Sequence, residues 1–180
     1  MHTYLVASLP SLTFGEPPPW SPQDFLFRLQ GVLGERERAQ VAAILDGRPV
    51  SGSAFADGWQ ARETQLRNAI ARHRSAALNV DARGTQRPHA GFDGYVAQMV
   101  TDALARPTPL ERTVELDRCR WHVAEDLARR DPFGISAVLA FAVKLRIAQR
   151  WAAMSDETGR ARVEEEVRRN TEAPAAGVEA

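Results

Sequence analysis

His122 and Asp126 stand four residues apart in a stretch patterned as a helix. That spacing puts an imidazole and a carboxylate on one face, where they can share a metal ion. A catalytic metal needs at least three protein ligands, and no second His-x-x-x-Glu or His-x-x-x-His element completes the set. His2, His73 and His89 fall in unrelated contexts. An exposed histidine with a local hydrogen bond is the simpler reading, and no metal is expected. Nucleophilic chemistry has no better footing. There is no Gly-x-Ser-x-Gly elbow, and Cys119, the one cysteine, lies on an apolar helix face and reads as a small core residue. A single cysteine also rules out an internal disulfide and a cysteine metal cluster. No Gly-x-x-x-x-Gly-Lys-Ser/Thr can be written around Lys144, the only lysine. The sequence therefore predicts no catalytic residue, no cofactor and no enzyme.

Arginines are the other chemistry-bearing group. Arg62, Arg67, Arg72 and Arg74 share one predicted helix and could meet phosphates, but Asp57 and Glu63 interleave with them. The formal net charge is zero and the pI about 6.9, so the basic footprint of a nucleic-acid binder is missing. A solvated mixed-charge face is expected instead. Two placements differ. Arg62 and Glu63 fall inside the apolar stripe between Trp59 and Leu66, and Asp117 and Arg120 fall inside the arc of Leu116, Trp121, Val123, Ala124 and Leu127. Isolated charges there would be too costly, so inter-helical ion pairs are predicted. Asp117→Ala or Arg120→Ala should then destabilise more than any change in the charged helix near the C-terminus.

The elements that hold these residues are helical. Hydrophobic content of 44% and charged content of 26% are globular values, and no stretch reaches the roughly 18–20 uncharged apolar residues that span a bilayer. Residues 4–9 are short and apolar, predicting an extended segment packed on helices, followed by a polyproline spacer over 15–19. Ser21-Pro22 with Asp24 reads as a capping box, and Trp20 and Phe25 as a hydrophobic staple, opening a helix over 22–33. Further helices are predicted over 35–46, over 57–78 with Asp57 near its start, over 92–104, over 110–129, and over 133–154 behind an Asp131-Pro132 cap. Residues 79–91 form the longest connection and the expected flexible loop. The helix over 133–154 is apolar on every side for three turns, which predicts a central position. A charged helix over 157–170 and a fraying tail complete the chain. The expected fold is all-α: a single bundle of about six to seven helices over 1–155, a short extended N-terminal segment, and a charged terminal helix and tail over 156–180.

Several strings resemble a known family. Tyr4-Leu5-Val6-Ala7-Ser8-Leu9-Pro10 with Phe14-Gly15-Glu16-Pro17-Pro18-Pro19-Trp20-Ser21-Pro22 resembles the start of an uncharacterised bacterial family encoded beside V/A-type ATPase subunits. Trp59, Glu63, Leu66, Arg67 and Asn68 add to the likeness, as do Leu116-Asp117 with Arg120-Trp121. Asp131-Pro132-Phe133 through Val138-Leu139-Ala140-Phe141-Ala142, Lys144-Leu145 and Arg150-Trp151 also resemble a helical element of the central-stalk funnel of V/A-type ATPases. That all-helical component, the C-type (or d-type) stalk protein, joins the rotating shaft to the membrane rotor ring. The chain is far shorter than the funnel and corresponds to about one of its helical lobes and part of a second. The resemblance implies a non-catalytic subunit or accessory protein that links or assembles the soluble motor and the membrane ring. Its partners would be central-stalk and membrane-ring subunits, and it would lie in the cytoplasm, peripheral to the inner membrane. Candidate partner contacts are Trp59, Arg62 and Arg67 on the helix over 57–78, and Lys144, Arg146 and Arg150 on the helix over 133–154. The alternative is a helical regulatory or nucleic-acid-binding protein that uses the arginines of the helix over 57–78.

Overall fold

The computed structural model describes residues 2–154. The predicted charged helix over 157–170 and the tail lie outside the described residues. Among those described there is no strand. Seven α-helices follow in order: α1 (Thr3–Ser8), α2 (Pro22–Arg28), α3 (Glu35–Leu45), α4 (Ala54–Leu78), α5 (Gly94–Leu104), α6 (Pro109–Ala128) and α7 (Ile135–Ala152). The expected all-α bundle is what forms, and no helix among the described residues is long and apolar enough to cross a membrane.

The local signals act as expected at α2. The Ser21 hydroxyl accepts from the Asp24 amide at 3.1 Å, and the Asp24 carboxylate accepts from the Ser21 amide at 3.1 Å. Trp20 stacks on Phe25 with ring centroids 6.4 Å apart, so the staple closes. The helix ends sooner than predicted, because Gly31 takes a left-handed φ of 74° and the chain tightens into turns. α4 starts sooner than predicted. Its N-cap is Ser53, whose hydroxyl accepts from the Ala56 amide, while Asp57 accepts from the Gly52 amide at 2.9 Å. Asn79, left-handed at φ 54°, closes α4. At α7 the cap is Gly134, and Phe133 stays outside the helix, exposed. Asp131 instead reaches forward to the Ser136 amide at 3.4 Å.

Residues 4–9 are a correction. Thr3–Ser8 is helical, and the extended conformation begins at Leu9. Six residues are too few to show a 3.6 period, and so short a helix is marginal by itself. Packing decides the matter: Leu5 is buried in the core, and His2 bonds Glu37 of α3 at 2.9 Å. The irregular segment from Leu9 to Trp20 then lies along the bundle, with Phe14 edge-on to Trp121 at 5.6 Å and near Trp151 at 6.5 Å.

α7 is central, as its all-round apolar pattern requires. Val138, Leu139, Ala142 and Leu145 are fully buried, and α7 packs against α2, α3, α4 and α6. α5 lies on α4 and α6. It starts two residues later than predicted, buries Val96, Val100 and Ala103, and leaves Tyr95 exposed, as is Phe92 just before it. A glycine lets α4 and α6 approach closely. A Cβ on Gly58, in the second turn of α4, would lie 2.8 Å from Leu127 Cδ2, so Leu127 would have to shift to admit a side chain there.

Candidate functional site

Two carboxylates are buried between helices. Glu63 projects from α4, and Asp117, which is fully buried, projects from α6. Arg120 joins them: its guanidinium donates to Glu63 at 2.9 and 3.1 Å and to Asp117 at 3.1 Å. Arg67 donates to Glu63 from the next turn of α4 at 2.7 Å. Asp117 is also paired with Arg150 of α7 and accepts from the Trp151 indole at 2.9 Å. The result is a ladder, Arg67–Glu63–Arg120–Asp117–Arg150, riveting α4, α6 and α7. These are the inter-helical pairs that charges inside apolar stripes demand. Each buried acid has more than one partner, so little of its charge is left uncompensated.

The electrostatics follow the geometry. Burial alone would raise the Glu63 carboxyl, but Arg120 and Arg67 outweigh it and hold the group below its ordinary 4.5. Burial also opposes ionisation at Glu125, where Lys144 at 2.9 Å prevails, and at Asp93, where Arg62 at 2.6 Å does. All these carboxyls bind protons less readily folded than unfolded. Their contribution to stability is therefore present above about pH 4.5 and is lost as the pH falls through and below that value. We expect the urea midpoint to drop on acidification from about pH 6 to about pH 3.5, with a shallower drop in Glu63→Gln. A midpoint flat over that range, or equal slopes in the two proteins, would contradict this account of Glu63.

Three of the six predicted contact residues are occupied inside the bundle. Trp59 is buried. Arg62 is tied to Asp93, with Asp126 at 3.8 Å. Lys144 donates to Glu125 and sits 4.6 Å over the Trp121 ring, whose indole donates to the same carboxylate at 3.0 Å. The other three, Arg67, Arg146 and Arg150, come together. Although spread over α4 and α7, they line adjoining hollows floored by Trp59 and Glu63. The first hollow, about 320 Å³, lies between α4, α7 and the turn after α3. Arg48 and Arg87 complete its basic rim. No local pattern in the sequence announces them, since both belong to loops that tertiary folding brings to α4.

His122 is exposed and stands 3.6 Å from Glu125. Among the described residues no group of three or more metal-ligating side chains assembles. Cys119 is buried, and burial pushes its thiol up to about 11, which makes it a poor nucleophile near neutrality. The connection over 79–91 is anchored to α4 at Arg87, and Asp93 beyond it is anchored likewise. Asn68 exchanges two hydrogen bonds with the Arg87 backbone at 2.7 and 3.0 Å, and Gln65 does the same with Asp93 at 2.7 and 2.9 Å. Gln65 and Asn68 are buried polar residues whose role the stripe alone does not reveal.

Residues 94–169 match a family model described as "Protein of unknown function (DUF2764)". The match takes in α5, α6 and α7, and so the Asp117–Arg120 half of the ladder and the arginines of α7. It covers less than half of the chain. No curated protein and no solved structure matches.

Proposed function

We propose that this chain is a non-catalytic subunit or accessory protein of a bacterial V/A-type ATPase, similar to the central-stalk funnel. It acts as a stiff helical piece between the soluble motor and the membrane ring, on the cytoplasmic face. One observation supports reading the resemblance as that of a whole unit. The strings that carry it are spread from the N-terminus to Trp151, yet their residues meet. Phe14 packs on Trp121 and Trp151, Trp20 lies 6.0 Å from Phe141, and Glu63 of the second string binds Arg120 of the third. A mechanical part needs such cross-linked helices, because a contact surface transmits force only if the helices behind it do not slide. A nucleic-acid surface on α4 has less support, since Arg62 and Arg67 already hold Asp93 and Glu63.

Affinity isolation of the tagged chain from native membranes tests the proposal. Co-recovery of central-stalk and membrane-ring subunits in gentle detergent is the expected result. Their consistent absence, with the tagged chain folded and expressed, would remove the assignment.

A further inference from the structure

Arg146 of α7 has no carboxylate partner among the described residues. Among the described residues it makes no hydrogen bond and no ion pair, whereas Arg67, Arg120 and Arg150 each have an acid. Arg146 is exposed, and its guanidinium lies against the turn after α3. Gly47, at a left-handed φ of 70°, turns the chain after α3 so that its bare Cα faces Arg146. A Cβ there would collide with one guanidinium nitrogen and lie 2.7 Å from the guanidinium carbon. Desolvation pushes the Arg146 guanidinium down from its ordinary value. Glu63 opposes that shift, while Arg120 and Arg67 add to it by like-charge repulsion. Arg87, across the same hollow, also has no acidic partner among the described residues, and the terminal nitrogens of Arg67 are unused. Among the described residues only one carboxylate, Glu63, lines this hollow, and it is already shared by Arg67 and Arg120.

We propose that this hollow binds a small phosphorylated molecule, its phosphate group held by Arg146, Arg67 and Arg87 and its body against Ile44, Pro49 and Trp59. Planar guanidinium forks match phosphate oxygens in pairs, and an anion here would pair with Arg146 and Arg87, which have no carboxylate among the described residues. The volume, about 320 Å³, lies at the small end of ligand pockets and fits a phosphate ester of sugar size. A concave wall mixing arginines with Trp59 and proline favours such a ligand over an acidic protein segment, which needs a longer and more open track. The inference does not rest on the ATPase assignment, and its test uses the purified chain alone.

Titration calorimetry with inorganic pyrophosphate and with a pentose phosphate, at constant ionic strength, reads the site. Saturable binding is expected, weakened at least about tenfold in Arg146→Gln and in Arg87→Gln, and unchanged in Arg74→Gln, which removes the same charge from exposed α4 surface away from the hollow. Melting curves give a second signature. Without ligand, Arg146→Gln should melt close to the wild-type temperature, because Arg146 holds no hydrogen bond or ion pair among the described residues, and pyrophosphate should raise the melting point of wild type and Arg74→Gln but not of Arg146→Gln. The proposal fails if neither phosphate saturates, or if Arg146→Gln and Arg74→Gln bind as wild type does. It also fails if a polyglutamate peptide alone binds in an Arg146-dependent way, which would make the hollow a protein-docking surface.

Discussion

Asp117→Ala should lower stability by about 3–5 kcal/mol, the cost of breaking a buried ion pair from one side. Asp117 is fully buried and serves three partners on two helices: Arg120 from its own helix, and Arg150 and the Trp151 indole from α7. Deletion orphans the indole N–H and leaves Arg150 without its acid in a partly desolvated place, which costs more than the attraction itself was worth. Arg120 keeps Glu63, so the loss should not be larger still. Asp117→Asn, which preserves an acceptor for Trp151, should fall between the alanine variant and wild type. The exposed Arg48–Asp46 pair supplies the contrast, because Arg48→Ala should change stability by about 1 kcal/mol or less. A whole domain of this size is stable by only about 5–15 kcal/mol, so Asp117→Ala should be plainly visible in urea unfolding. Equal midpoints for Asp117→Ala and Arg48→Ala would show that the ladder does not hold the helices together.

The second large effect is expected at Phe25. Its ring is fully buried, 4.8 Å from Phe141 of α7 and stacked with Trp20, so one side chain joins α2, the incoming N-terminal segment and the central helix. Phe25→Ala removes that contact area and leaves a cavity, at a cost of about 3–5 kcal/mol. Part of the cost reflects aromatic geometry that no aliphatic residue restores. Phe27, two residues on, is 72% exposed, and Phe27→Ala should fall within about 0.5 kcal/mol of wild type. Comparable losses from both substitutions would mean that α2 does not present the face described. Faster amide exchange in α2 of Phe25→Ala, with α5 still protected, would place the damage where the packing predicts.

Phe25 and Phe27 also show where the sequence stops being informative. The cap at Ser21, the acid at Asp24 and the staple from Trp20 to Phe25 are contacts between near neighbours, so residue types at fixed spacing are enough to foresee them. The same staple marks Phe25 as inward and says nothing of Phe27. The central place of α7 is equally legible, because a helix apolar all round has no other stable home. α1 is not legible. Its helicity depends on Leu5 reaching the core and on His2 meeting Glu37, contacts made across the fold. Within the connection over 79–91, glycine and proline mark an irregular backbone, but its anchor point, Arg87 on Asn68 of α4, is not visible in the sequence for a related reason.

Of the candidate site, that charges inside apolar stripes must be paired is written in the chain, since burying a lone charge costs more than folding yields. Which charges meet is not: Glu63 finds Arg120 fifty-seven positions away, and Asp117 finds the Trp151 indole thirty-four away. The basic hollow is wholly a product of folding. It needs the bare Cα of Gly47 on one side and Arg146 on the other, residues that no periodicity connects. Side-chain type and spacing determined the helices, their caps and the need for internal ion pairs, because those follow from short-range geometry and desolvation. Tertiary packing alone decided the ion-pair partners, the anchor point of the long connection and the arginine without a carboxylate, because each depends on which distant surfaces the helices press together.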